Sequence, residues 1–404
     1  RPSKQTGAHK TGNFAEFVCS NSLGSYDITN ASGLLKHEME ILGSELLPLI
    51  FESQVPAGGA LAIDRELFSK KVTNLIESNP YINVIREEVT ALDCDSPSII
   101  ASGPLTSDTF AQTIKNFLGQ DYLYFFDAIA PIIEKDSVNF EKAFYLNRYN
   151  KGDADYINCP MTKEEYEKFY NILINAPKIE LKSFEKGAKF FESCLPIEVL
   201  ASRGEDTLRF GPLKPVGLID ERTGQENYAV VQLRQDNKSA SLYNLVGFQT
   251  NLKWGSQKEL IQAIPGLENA NIVRYGVMHR NTFINSPKCL NPSLQSRNNQ
   301  NIFFAGQITG TEGYTESIAS GLLAGINMAK YLNGEKLFEL PQETMLGALT
   351  HYITFEEHNS FQPINSNWGI LSPIELDKKI KKNKKLKNEL LAKRALEILN
   401  NMLK

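Results

Sequence analysis

Residues 301–330, NIFFAGQITGTEGYTESIASGLLAGINMAK, constrain the fold more than any other stretch of the chain. An apolar run over 302–305 meets a turn containing Gly306, Gly310 and Gly313, and the spacing predicts a small-residue helix over 317–332. Glycines let the backbone approach a flat or charged ligand closely, and a helix N-terminus offers free N–H groups and the positive end of its dipole. The same pattern serves a ligand-binding turn and a plain strand-to-helix turn of an α/β protein. A second glycine-bearing segment, QVPAGGALAIDRELFSK at 54–70, places Gly58 and Gly59 in a loop and opens a helix at Asp64 and Arg65.

Elsewhere, apolar residues at three- to four-residue spacing predict a helix over 31–51, and a further helix is expected over 105–118. Strands are expected at 83–91, 98–102, 228–234 and 242–248, the last two joined by a polar connection. Alternation of helices and strands at both ends of the chain, around a more mixed middle, predicts an α/β fold.

Of the 404 residues, 42% are hydrophobic and 22% charged, which is globular usage and excludes a disordered or fibrous chain. No apolar run approaches the roughly 20 residues that span a bilayer, so a soluble, cytoplasmic protein without membrane partners is expected. Five cysteines (Cys19, Cys94, Cys159, Cys194 and Cys289) show no metal-binding spacing, so free thiols and no metal are expected. The net charge of −4 is uneven: residues 377–404 carry ten Lys/Arg and three Asp/Glu, leaving the remainder at −11. That basic tail suits nucleic acid, or else a solvated amphipathic helix with Leu396, Leu399 and Leu403 as its stripe.

Both glycine segments, with FAEFVCSNSLGS (14–25), YINCPM (156–161), FESCLPIEVLASRGEDTLRFGPLKPVGL (191–218) and RYGVMHRNTFINSP (274–287), closely resemble the folate- and FAD-dependent tRNA uracil-5-methyltransferases, the TrmFO family. More distant resemblance runs to the GidA or MnmG enzymes. The resemblance extends to about residue 371. It implies a glutathione-reductase-like FAD-binding domain, formed by 1–100 and 285–371, with an inserted mixed α/β substrate domain at 101–284 and a basic extension at 372–404. It implies 5-methyluridine formation in the tRNA T loop from 5,10-methylenetetrahydrofolate, with FAD and NAD(P)H as cofactors. A ribosomal RNA substrate in the same chemistry, or an RNA-binding fragment without flavin, are the alternatives.

The family also carries an N-terminal GxGxxG unit for the FAD pyrophosphate, which these 404 residues lack. The chain is therefore expected to be a fragment that begins just after that unit and to bind FAD poorly.

Uracil carbon 5 becomes nucleophilic only when something adds to carbon 6, a task that suits a cysteine thiolate, and a base must then take the carbon-5 proton. Cys194 and Cys19 match the family's catalytic positions and are assigned as nucleophile and base, with exchanged roles the rival assignment. By resemblance, His279 stacks on folate. Gly306, Gln307, Gly310, Gly313 and Tyr314, with Gly58 and Gly59, contact cofactor. Arg280 and Asn281 are further candidates, and Arg203, Arg209 and Lys214 are expected either at RNA phosphate or in solvent.

Overall fold

The computed structural model describes residues 8–120, 122–150, 153–179, 195–220, 222–355, 361–377, 380 and 382–404. In chain order come α1 (Ala31–Ile41), α2 (Leu46–Glu52), β1 (Gln54–Val55), β2 (Ala62–Ile63) and α3 (Arg65–Glu77). Next are β3 (Ser98–Ile100), α4 (Asp108–Leu118), β4 (Leu123–Ala128), β5 (Ile132–Glu134), β6 (Phe144–Tyr145) and β7 (Ile157–Met161). The middle continues with α5 (Lys163–Asn175), α6 (Ile197–Ser202), α7 (Thr207–Phe210), β8 (Ile219–Asp220), β9 (Gln225–Glu226), β10 (Ala229–Gln235) and β11 (Leu242–Leu245). After these stand α8 (Trp254–Gln262), β12 (Ile272–Arg274), β13 (Met278–Phe283), α9 (Ser286–Cys289), β14 (Ile302–Phe304), α10 (Tyr314–Leu332), α11 (Met345–Thr354) and α12 (Lys384–Met402).

The β-branched and apolar run AVVQLRQ puts β10 inside a six-stranded sheet of order β12-β5-β11-β10-β7-β6, whose neighbours all run antiparallel. Apolar residues at helical spacing on α5 (Tyr166, Phe169, Leu173) and α8 (Leu260, Ile261) close over this sheet and share one core with Ile157, Val231 and Leu245. A capping box, Thr162 with Glu165, starts α5.

A second core draws on both ends of the chain. Leu34, Leu35 and Met39 of α1 pack with Ala319 and Leu323 of α10, with Leu349 of α11 and with Leu391, Ala395 and Leu399 of α12. Both oxygens of the buried Glu38 carboxylate accept N–H bonds at the start of α11, from Met345 and Leu346, stitching α1 to that helix. Beside this core, β14 pairs parallel with β3, and Phe110, Ile114 and Leu118 of α4, one face at four-residue spacing, pack on Ile302 and Phe304. β4 pairs antiparallel with β13 along six residues.

Three local expectations are corrected. The helix expected over 31–51 is broken into α1 and α2 around Gly43, which has φ +75°. Residues 83–91 form no strand: Ile85 and Val89 are largely exposed, so β-propensity finds no partner there. The tail helix buries Leu391, Ala392, Ala395 and Leu399, a stripe beginning a turn earlier than expected, while Leu403 is half exposed. Asp64 does cap α3, its carboxylate accepting from Leu67 N–H at 2.9 Å. No described helix is long and apolar enough to cross a membrane, and no metal-holding cluster occurs among the described residues.

Candidate functional site

The glycine turn ahead of α10 forms one wall of the site. Gly310 has φ +88°, and a Cβ there would lie 2.6 Å from the Phe361 ring; Gly313, at φ +112°, leads into α10 where a Cβ would collide with the Glu316 carboxylate. Their conformation sets Tyr314 at the start of α10, from which its side chain reaches a loop almost 300 residues earlier. The Tyr314 Oη accepts from Val18 N–H (2.9 Å) and Cys19 N–H (3.0 Å) and lies 3.1 Å from Cys19 Sγ. Its ring stacks on Phe17 with centroids 3.8 Å apart.

Between this loop and the glycine turn opens a cleft of about 570 Å³, lined in part by Cys19, Asn281, Gln307, Glu312, Gly313 and Tyr314. Asn281, on β13, is 1% exposed, and neither its amide nitrogen nor its amide oxygen hydrogen-bonds to the described protein. A buried amide in that state costs free energy unless a ligand satisfies it.

Acidic and sulfur groups meet here under strong desolvation. Asp127 of β4 and Glu312 are both buried, and Gln307 Nε2 donates to Glu312 Oε2 at 2.6 Å. Burial, reinforced by Asp127, holds the Glu312 carboxyl well above the usual range. Although Cys19 as a residue keeps some exposure, its thiol is pushed up to about 12, first by burial and then by the Asp127 charge. Burial, with Cys19 next, likewise pushes the Tyr314 phenol well up.

Three arginines cage the same loop. Arg65 forms a buried pair with Asp236 (2.9 Å). Arg234 donates to Ser20 Oγ (2.8 Å) and Asn21 Oδ1 (3.0 Å), and Arg274 donates to Val18 O (2.8 Å). Asn21 Nδ2 in turn donates to Gln235 O, fastening the loop to the β10–β11 hairpin.

The structure thus brings Cys19, Gln307, Gly313, Tyr314 and Asn281 together. Gly306 and Gly310 shape the turn without lining the cleft. Gly58 and Gly59 do not line it either: Gly58 N–H donates to Asp155 Oδ2 at 2.6 Å on another loop. His279 and Arg280 sit on β13 opposite Asp127 and Phe126; their side chains lie outside the described residues, as does Cys194. Arg209 is spent internally, its guanidinium 3.5 Å over the Tyr228 ring and its Nε donating to Tyr228 O. Sequence reasoning missed Asp127, Glu312, Arg234 and Arg274, and read Arg65 only as a helix opener. A lone acid inside the apolar run LYFFDAIAP and another between the glycines of GTEGY were the available signals.

Residues 6–336 match the family model described as glucose inhibited division protein A. The methylenetetrahydrofolate–tRNA-(uracil-5-)-methyltransferases TrmFO of Anoxybacillus flavithermus and Bacillus subtilis are 56% and 55% identical over 404 residues, covering 100% of this chain and 92% of each relative. GidA from Aquifex aeolicus, in its form II crystal, superposes with a TM-score of 0.66 at 14% identity, covering 96% of this chain and 67% of that one, which shows a shared α/β fold. The chain belongs to the glucose inhibited division protein A family and, within that resemblance, to the TrmFO methyltransferases.

Proposed function

We propose that the protein methylates carbon 5 of a uridine in the tRNA T loop, using 5,10-methylenetetrahydrofolate, FAD and NAD(P)H. The observation that carries this reading is identity of 56% along the whole chain with a relative of that name, coupled to a cleft where Cys19, Tyr314 and Asn281 converge. A glutathione-reductase-like FAD unit built from 1–100 and 285–371 is part of the proposal, with 101–284 inserted and 372–404 appended. In its support, the six-stranded sheet keeps a core of its own, while the second core joins both chain ends. The reading carries a cytoplasmic location with it, where tRNA is modified.

The residues present fit the ring end of a flavin. Asn281 offers a donor and an acceptor with no partner among the described residues, and the glycine turn leaves an open wall beside Gln307. When bound, FAD supplies the reducing electrons and carries the one-carbon unit. His279 is proposed to face folate. Cys194 is proposed as the nucleophile at carbon 6 and Cys19 as the base at carbon 5. Burial first, and the Asp127 charge second, raise the thiol to about 12, so Cys19 is protonated at neutral pH in this structure and acts as a base only once bound ligands change its surroundings. Tyr314 holds the Cys19 backbone and sulfur in place through that change.

The test is incubation of flavin-loaded protein with unmodified tRNA, methylenetetrahydrofolate and NADPH, with a ribosomal RNA transcript in parallel. Formation of 5-methyluridine in tRNA is expected; none, with flavin absorbance present, overturns the reading.

A further inference from the structure

A smaller cavity, of about 130 Å³, lies next to the wide cleft and shares Cys19, Ser20 and Asp127 with it as a common wall. At ~30 Å³ of liquid volume per water it has room for about four waters, the size of one substituted six-membered ring. Ala128, Ala130 and Leu245 give it apolar walls. Arg65, Arg234 and Gln249 supply the polar ones. Behind this wall lies Arg274, whose affinity for a proton is lowered first by burial and then by the Arg65 charge. Of the two guanidiniums that line the cavity, Arg65 is paired with Asp236, while Arg234 stands with the Asp127 carboxylate among the lining groups and Tyr156 nearby. The backbone oxygen of Gln249 accepts from Ile197 N–H at 2.7 Å, anchoring the chain three residues after Cys194 at this same rim.

We propose that this cavity receives the target uracil base, with Arg234 and Gln249 reading its carbonyl edge; the assignment rests on the methyltransferase reading above. Uracil presents two carbonyl acceptors around one N–H. Guanidinium groups only donate, which suits the carbonyls, and the Gln249 amide can accept from N3–H. Cytosine would set its amino donors against the arginines. An extruded base read along its pairing edge, with its faces against apolar side chains, is the usual arrangement where chemistry is done on a base. When a thiolate adds to carbon 6, the sulfur–carbon bond forms, the C5=C6 π pair becomes the C4=C5 bond and the carbonyl π pair moves onto the carbon-4 oxygen. The Arg234 guanidinium stabilises that oxyanion until the pair returns and carbon 5 bonds the electrophilic one-carbon unit, whose displaced bond pair goes to its carrier nitrogen. The shared wall lets a donor in the wide cleft meet carbon 5 without either ligand leaving its own compartment.

The experiment measures binding of T-arm hairpin RNAs that carry uridine or cytidine at the target position, by fluorescence anisotropy, without turnover. Wild type should prefer the uridine hairpin by about tenfold or more. Gln249→Leu, and Val246→Phe, which fills the cavity from its partly exposed side, should bring the ratio near one and leave cytidine-hairpin affinity unchanged, with melting curves confirming folding. Wild type without preference, or both variants discriminating as wild type does, overturns the pocket. If wild type forms 5-methyluridine in tRNA while the variants still discriminate, only the pocket fails; absence of any tRNA methylation brings down the broader reading instead.

Discussion

Cys19 and Cys159 are two thiols that burial pushes in the same direction, and their surroundings could hardly differ more. Cys159 stands on β7 in the middle of the apolar sheet core, fully buried among side chains such as Val231 and Ile133. Cys19 has a phenol at 3.1 Å, two carboxyls acting on it, arginines gripping the residues on either side, and a cavity on each face. A raised thiol pKa therefore separates nothing by itself. Reactivity is decided by what can change the charge around the sulfur and what can reach it.

The sharpest way to break this contrast is to truncate both. Cys19→Ala should lower methylation by about 10²–10⁴-fold, the usual contribution of a positioned base, while Cys159→Ala keeps the activity and loses only about 1 kcal/mol of stability. Equal activity in the two variants, measured as 5-methyluridine formed per enzyme, would erase the distinction.

Next in size is the cage. Arg65→Met leaves Asp236 buried without its cation, so chemical denaturation should show a loss of about 3–5 kcal/mol. A loss under about 1 kcal/mol would mean that the pair is no more than a surface contact.

The smallest effect is on pH dependence. With its thiol raised to about 12, Cys19 should be alkylated slowly at pH 8, and the rate should climb about tenfold per pH unit well past the ordinary thiol range of ~8.5. Between those two values the folded state holds the proton that the unfolded chain has lost, so this group's contribution to stability declines as pH rises through the window. Peptide mass mapping of iodoacetamide adducts reads the profile. A plateau near pH 8.5 would show a solvated thiol and remove the electrostatic part of the contrast.

Much of the fold was legible where a signal is local. The Asp64 cap, the α4 face and the β10–β11 pair follow from residues within a few positions of each other. The site was legible through long motifs around Cys19 and Tyr314. Their pairing was not, because no periodicity links residues 295 apart. The arginine cage stayed hidden for a related reason: Arg65, Arg234 and Arg274 look like ordinary surface charges in sequence, and only folding brings them behind one loop. Residues 83–91 show the converse, with strand-forming side chains that have no neighbouring strand to bond.

The Tyr314–Cys19 contact also sets a clock on biosynthesis. At about 5–20 residues per second, a ribosome needs roughly 15–60 s to travel from the codon for Cys19 to that for Tyr314. Throughout that interval the nascent thiol has neither its phenol partner nor the wall of α10, and it titrates like any solvated cysteine. Oxidation of this one thiol should accordingly fall on chains still being made rather than on finished molecules.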